Sequence, residues 1–128
     1  MFMKTTPAIS EAESVVMEAL WRRSPASAEE LNEVLSREQN WQVATVKTLL
    51  NRLLKKQAIA ASRDGRRYIY EPLLDREEWI SQQTASLIDR LFGGELAPFV
   101  AHFSKSRRLS KKDVAELKRL LKDIDDGR

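Results

Sequence analysis

Apolar positions along the chain follow a helical rhythm that a strand rhythm interrupts once. Val16, Met17, Leu20 and Trp21 recur at the spacing of one helix face. Ser10-Glu11-Ala12-Glu13 stands before them as a capping box, in which the Ser hydroxyl accepts an orphan backbone N–H and Glu13 reaches back. Ile9 occupies the staple position, and Ser24-Pro25 ends the helix. A second capping box, Ser27-Ala28-Glu29-Glu30, opens a short helix whose Leu31, Val34 and Leu35 face a core. Residues 36–42 read as polar and irregular, with Trp41 docked as an anchor. The third helix is expected from about Val43 to Gln57. Its Val46, Leu49, Leu50, Leu53 and Leu54 fall at i, i+3, i+4, i+7 and i+8.

The strand rhythm follows. Ile59–Ser62 and Arg67–Glu71 flank Arg63-Asp64-Gly65-Arg66, where Asp-Gly supplies the positive φ angles of a tight two-residue turn. Tyr68 and Tyr70 alternate with Ile69, so both are expected to pack on one face of the sheet, and Pro72 stops the second strand. Asp75 caps a fourth helix, about 76–92, with Ile80, Leu87, Ile88, Leu91 and Phe92 as its stripe, and Gly93-Gly94 breaks it. A short apolar helix is expected at about 95–103, carrying Leu96, Phe99, Val100 and Phe103. Residues 104–108 form a basic connector, and Ser110 caps a last helix with Val114, Leu117, Leu121 and Ile124. The order is three helices, a hairpin, then helices. The expected fold class is mainly α, a winged helix-turn-helix followed by a C-terminal helical region. The expected division is residues 1–74 for DNA binding and 75–128 for dimerisation.

Charge sharpens this picture. The 128 residues hold 22 Lys+Arg and 19 Asp+Glu, a net +3. The distribution is uneven: residues 1–43 sum to −3, whereas residues 44–70 carry seven cations against Asp64 alone, a local +6. Such a concentrated segment points to contact with a polyanion. Between Glu38 and Asp64 the chain has no acid. The polar face of the third helix therefore offers Thr45, Lys47, Thr48, Asn51, Arg52 and Lys55 to a groove wide enough for one helix. Thr45, Lys47, Thr48 and Asn51 are the candidates for base edges: Asn bonds adenine bidentately and Lys reaches guanine acceptors. Arg52, Lys55 and Lys56 suit phosphates, and Arg63, Arg66 and Arg67 of the hairpin suit a DNA backbone or the minor groove.

Composition removes other chemistries. Without cysteine there are no disulfides, thiolate nucleophiles, Cys-ligated zinc or iron–sulfur clusters, and the single His102 builds no multi-His metal site. Nothing resembles a nucleophile–base constellation or a phosphate loop, so neither an enzyme nor a cofactor is expected. Glu29, Glu30 and Glu33 read as a surface run, and Trp21, Trp41 and Trp79 as packing anchors. No apolar run approaches the ~20 residues of a membrane helix. Met1–Pro7 lacks the pattern of a signal peptide, so the cytoplasm is the expected location and membrane insertion is not expected. The amphipathic helices of residues 75–128 exceed what a small winged helix needs. Ile80, Leu87, Ile88, Leu91, Phe92, Phe99, Phe103, Leu117 and Leu121 are expected to meet the same segment of a second chain.

Three stretches carry a family resemblance. Ile9-Ser10-Glu11-Ala12-Glu13 with Met17 and Leu20-Trp21, the run from Trp41 to Lys56, and Gly65-Arg66-Arg67-Tyr68-Ile69-Tyr70 with Pro72 together resemble the penicillinase-repressor family (the BlaI/MecI/CopY group) over nearly the whole chain. The resemblance implies a homodimeric repressor of palindromic operators. Its targets would be β-lactam-resistance or metal/stress-response genes, and its operator contacts would fall at Thr45, Lys47 and Thr48. It also implies a membrane sensor protease as partner. Resistance repressors are cut at an Asn–Phe bond, and the comparable place here reads Ala101-His102-Phe103, which makes His102 and Phe103 the candidate cleavage residues. Departures bound the carry-over. Ala44 stands where staphylococcal members have Lys. Gln57 replaces a common Gly, and the Cys cluster of copper-responsive members is missing. The competing readings are a protein-interaction adaptor and an architectural protein that binds DNA without sequence choice.

Overall fold

The computed structural model describes residues 7–106 and 109–127. Three helices come first: α1 (Glu11–Arg22), α2 (Ala28–Glu38) and α3 (Val43–Lys55). A hairpin of β1 (Ile59–Asp64) and β2 (Arg67–Pro72) follows, then α4 (Arg76–Phe92), α5 (Leu96–Ser106) and α6 (Lys111–Asp125). Among the described residues the one sheet is this antiparallel pair, with Ile59 opposite Pro72 and Asp64 opposite Arg67.

Both capping boxes form as the sequence requires. The Ser10 Oγ accepts from the Glu13 N–H at 3.1 Å, and the Ser10 N–H donates to the Glu13 carboxylate at 2.8 Å. Ser27 and Glu30 repeat the arrangement at 3.1 and 2.9 Å. Each helix thus starts at a fixed residue, which sets which side chains turn inward. Val16, Met17 and Leu20 of α1, Leu31 and Leu35 of α2, and Val46, Leu49, Leu50 and Leu53 of α3 meet in one core. Burying each of these larger side chains contributes roughly 1.5–3 kcal/mol relative to exposure.

Several expectations are corrected. Helix α2 continues through Ser36, Arg37 and Glu38, and Val34 is only half-buried. The reversal into α3 is carried by Asn40, whose φ of 60° is one that Asn tolerates better than most residues. Helix α3 stops at Lys55, and Gln57 itself takes the left-handed conformation, φ 60°, that a Gly would adopt without strain. In the hairpin the two loop residues are Gly65 and Arg66 rather than Asp-Gly. Gly65 alone has positive φ, 67°, as a turn with Gly first demands. Tyr68 is 52% exposed while Tyr70 is buried. Residues 61–68 of the hairpin are exposed, and Tyr70 is drawn in by paired backbone bonds with Ala26 at 2.8 and 3.1 Å.

The chain divides into two compact units after Gln82, inside α4. The start of α4 stays with the first unit because Trp79 packs on Trp21, ring centroids 5.7 Å apart, while the Trp21 indole N–H donates to the Leu74 carbonyl at 2.9 Å. In the second unit α5 extends to Ser106, so Ser104–Ser106 are helix rather than connector; Arg107 and Arg108 lie outside the described residues. Phe92 and Phe99 meet edge-on at 5.6 Å, and Phe99 lies 6.4 Å from Phe103. Neither α5 nor α6 has a buried residue.

Candidate nucleic-acid interface

Helix α3 has two faces of opposite character. Its apolar face is fixed in the core, which turns Thr45, Lys47, Thr48, Asn51, Arg52 and Lys55 outward; all six are exposed. No side chain caps its N-terminus and no acid lies in its first turn. The positive end of the helix dipole is therefore uncompensated, a setting that favours a phosphate. The Thr48 hydroxyl donates to the Ala44 carbonyl at 3.0 Å. Toward a base it retains an acceptor oxygen and a methyl group.

The hairpin adds cations beside this face. Arg63 on β1, Arg66 in the turn and Arg67 at the start of β2 are all exposed. The Arg63 guanidinium lies 5.2 Å from the Tyr68 ring centroid, a cation–π contact that steadies a flexible side chain. Arg67 is braced by Glu30 at 3.4 Å and Asp64 at 3.2 Å. Among the described residues, Arg52, Lys55 and Arg66 meet no acid within 4 Å. Glu29, Lys47, Arg66, Arg67 and Tyr68 line one cleft of about 190 Å³ between α2, α3 and the hairpin.

Two contacts escaped sequence reasoning. Lys56, expected at a phosphate, turns inward to the Glu13 carboxylate and donates to the Ala8 carbonyl at 2.7 Å. It ties the end of α3 to the start of α1. Burial pushes the Glu13 carboxyl up, but hydrogen bonds from Lys56 and Ser10 and the Lys56 charge outweigh it and leave the group below its ordinary value. Glu29 reaches the Lys47 ammonium at 3.4 Å, so the acidic run on α2 is partly engaged with the basic face. The Tyr70 phenol is raised, chiefly by burial and secondarily by the nearby Glu29 charge. These partners are far apart in sequence, and no short-range pattern marks them.

None of the residues expected to dimerise is fully buried. Leu91 is 63% exposed and Leu121 60%; Phe103 is exposed, and Ile80, Leu87, Ile88, Phe92, Phe99 and Leu117 are half-buried. An apolar groove of about 380 Å³ runs between α5 and α6, lined by Phe99, Val100, Phe103, Leu109 and Leu117 among others. His102 and Phe103 lie within α5, so the bond between them is helical. Among the described residues no group of His, Asp or Glu could hold a metal ion, and no helix is long and apolar enough to cross a membrane.

A family model described as penicillinase repressor matches residues 9–123. A penicillinase repressor from Bacillus licheniformis is 33% identical over 121 residues, which cover 94% of each chain. The solved DNA-binding domain of the repressor BlaI is similar at a TM-score of 0.53 and 37% identity, covering 59% of this chain and 93% of that one. The monomeric form of Bacillus licheniformis BlaI in complex with the blaP half-operator is similar at a TM-score of 0.51, with the same identity and coverage.

Proposed function

The chain belongs to the penicillinase-repressor family, and on that premise we propose that it acts as a homodimer on palindromic operators, with α3 in the major groove. It is a DNA-binding transcriptional repressor and not an enzyme. The observation that carries the finer reading is the acid-free, exposed face of α3 beside the basic hairpin. In this reading Thr45, Lys47, Thr48 and Asn51 meet base edges, Arg52 and Lys55 meet phosphates, and Arg63, Arg66 and Arg67 follow the backbone or enter the minor groove. A half-operator held by one BlaI monomer supports a full operator of two halves here. Two chains would set their recognition helices ~34 Å apart or a multiple of it, and pairing would raise affinity through effective concentration.

Dimerisation through residues 75–128 is supported by helices α5 and α6, in which no residue is fully buried within one chain. The regulated genes would be those of β-lactam resistance or of metal and stress responses. Release would follow cutting between His102 and Phe103 by a membrane sensor protease. That bond is helical, so cutting requires α5 to unwind locally first.

The test is selection of bound DNA from a sheared library of the source genome, with purified protein at about 150 mM salt. Enrichment of a two-fold symmetric sequence upstream of a few genes is the expected result. Retention that is merely salt-sensitive, without enrichment, would replace this reading with the architectural or adaptor one.

A further inference from the structure

Glu29 takes no part in the capping box of α2, although its charge lies in the first turn of that helix. The capping box of α2 is completed by Ser27 and Glu30, and Glu30 also meets Arg23 and Arg67. Glu29 sits in the same turn with its side chain 63% exposed, and its one ion pair among the described residues is to Lys47. It lines the cleft with Lys47, Arg66 and Arg67, of which Arg67 is already paired with Glu30 and Asp64, on a surface otherwise suited to a polyanion.

We propose that Glu29 is a specificity-determining residue that suppresses binding to non-cognate DNA by competing with phosphate for Lys47 and repelling the backbone from the cleft. The inference rests on Lys47 facing DNA, as argued above. Binding without sequence recognition comes almost wholly from cation–phosphate contacts, so a carboxylate among those cations subtracts from it directly. On a cognate duplex the same carboxylate has a second effect. It holds the flexible Lys47 side chain near its working position and reduces the freedom lost on binding, which offsets the repulsion. Discrimination then arises from a repulsive element as well as from attractive ones. An exposed ion pair is weak, so Lys47 remains available to a duplex that fits.

The experiment uses the full chain and two duplexes of about three helical turns. One carries the sequence recovered by the genomic selection, and the other is a scramble of it. Glu29→Gln is expected to bind the scrambled duplex roughly threefold to fivefold tighter at about 100 mM salt, and the selected duplex within about twofold of the parent. An unchanged affinity for the scrambled duplex, or an equal tightening on both, would overturn the proposal. Lys47→Ala separates the two levels. If it weakens binding to the selected duplex, the placement of Lys47 stands and the Glu29 result alone decides. If it binds both duplexes like the parent, that placement fails and the proposal falls with it.

Discussion

At the scale of single residues, the most consequential contact is between Glu13 and Lys56. Glu13 is buried, closes the α1 capping box and accepts from the Lys56 ammonium. Lys56→Met would leave that carboxylate buried without its cation, and a loss of about 2–4 kcal/mol in urea unfolding at neutral pH is expected. Glu13→Gln keeps an acceptor for the Ser10 N–H and should cost less, about 1 kcal/mol. Because the folded-state Glu13 pKa lies below its unfolded value, its stabilisation is present above the ordinary Glu pKa of about 4.3 and is lost as pH falls through the lower folded value. Unfolding midpoints below about pH 4.3 should therefore fall less steeply with acid in Glu13→Gln than in the parent. The capping half of this arrangement was legible, since Ser10 and Glu13 are three apart. The ion pair spans 43 residues, and Lys56 looked like one more cation in a basic run.

At the scale of elements, α3 was the most legible part of the chain. Its apolar period assigned Val46, Leu49, Leu50 and Leu53 to the core, and the acid-free interval marked its other face. Its end was not legible: the apolar period runs on to Leu54 and suggests a helix to about Gln57, whereas the helix stops at Lys55 and Gln57 takes positive φ. The hairpin was legible in kind but not in register. Asp-Gly suggested the turn, but the strands run to Asp64 and Arg67, so the loop is Gly65-Arg66. That shift puts Arg66 at the tip, clear of any acid within 4 Å among the described residues, while Arg67 is braced at the strand end. Arg66→Ala should weaken binding to all duplexes alike and lower the slope of log affinity against log salt by about one. Thr48→Ala should instead relax preference at one base position, costing about 1–3 kcal/mol on the operator and little elsewhere. Titrations of both variants over a salt series distinguish the two effects.

At the scale of the whole molecule, the sequence suggests a division at residue 74, whereas the compact units meet at Gln82. The first unit continues to Gln82 because Trp79 belongs against Trp21. An amphipathic stripe does not announce that its first residues serve one neighbour and its later ones another. The second unit was legible as surplus apolar surface, which its α5 and α6 cover only in part. Sedimentation of the full chain at tens of micromolar should therefore report a dimer, an expectation that follows from burial of exposed Leu121 and Leu91. Leu121→Asp should shift it toward monomer while helix content is retained. A full-length monomer at that concentration would mean that these helices find no partner in a second copy.

The two faces of α3 also differ in what inheritance can change. Val46, Leu49, Leu50 and Leu53 are held by volume, and almost any replacement costs stability. Thr45, Asn51 and Arg52 stand in open solvent, where replacements usually shift stability by no more than about 0.5 kcal/mol. A duplicated copy of this chain could therefore drift to a new operator while its scaffold stayed intact. Rewriting its vocabulary in the laboratory asks for a library at a few outward positions, not for a redesigned protein.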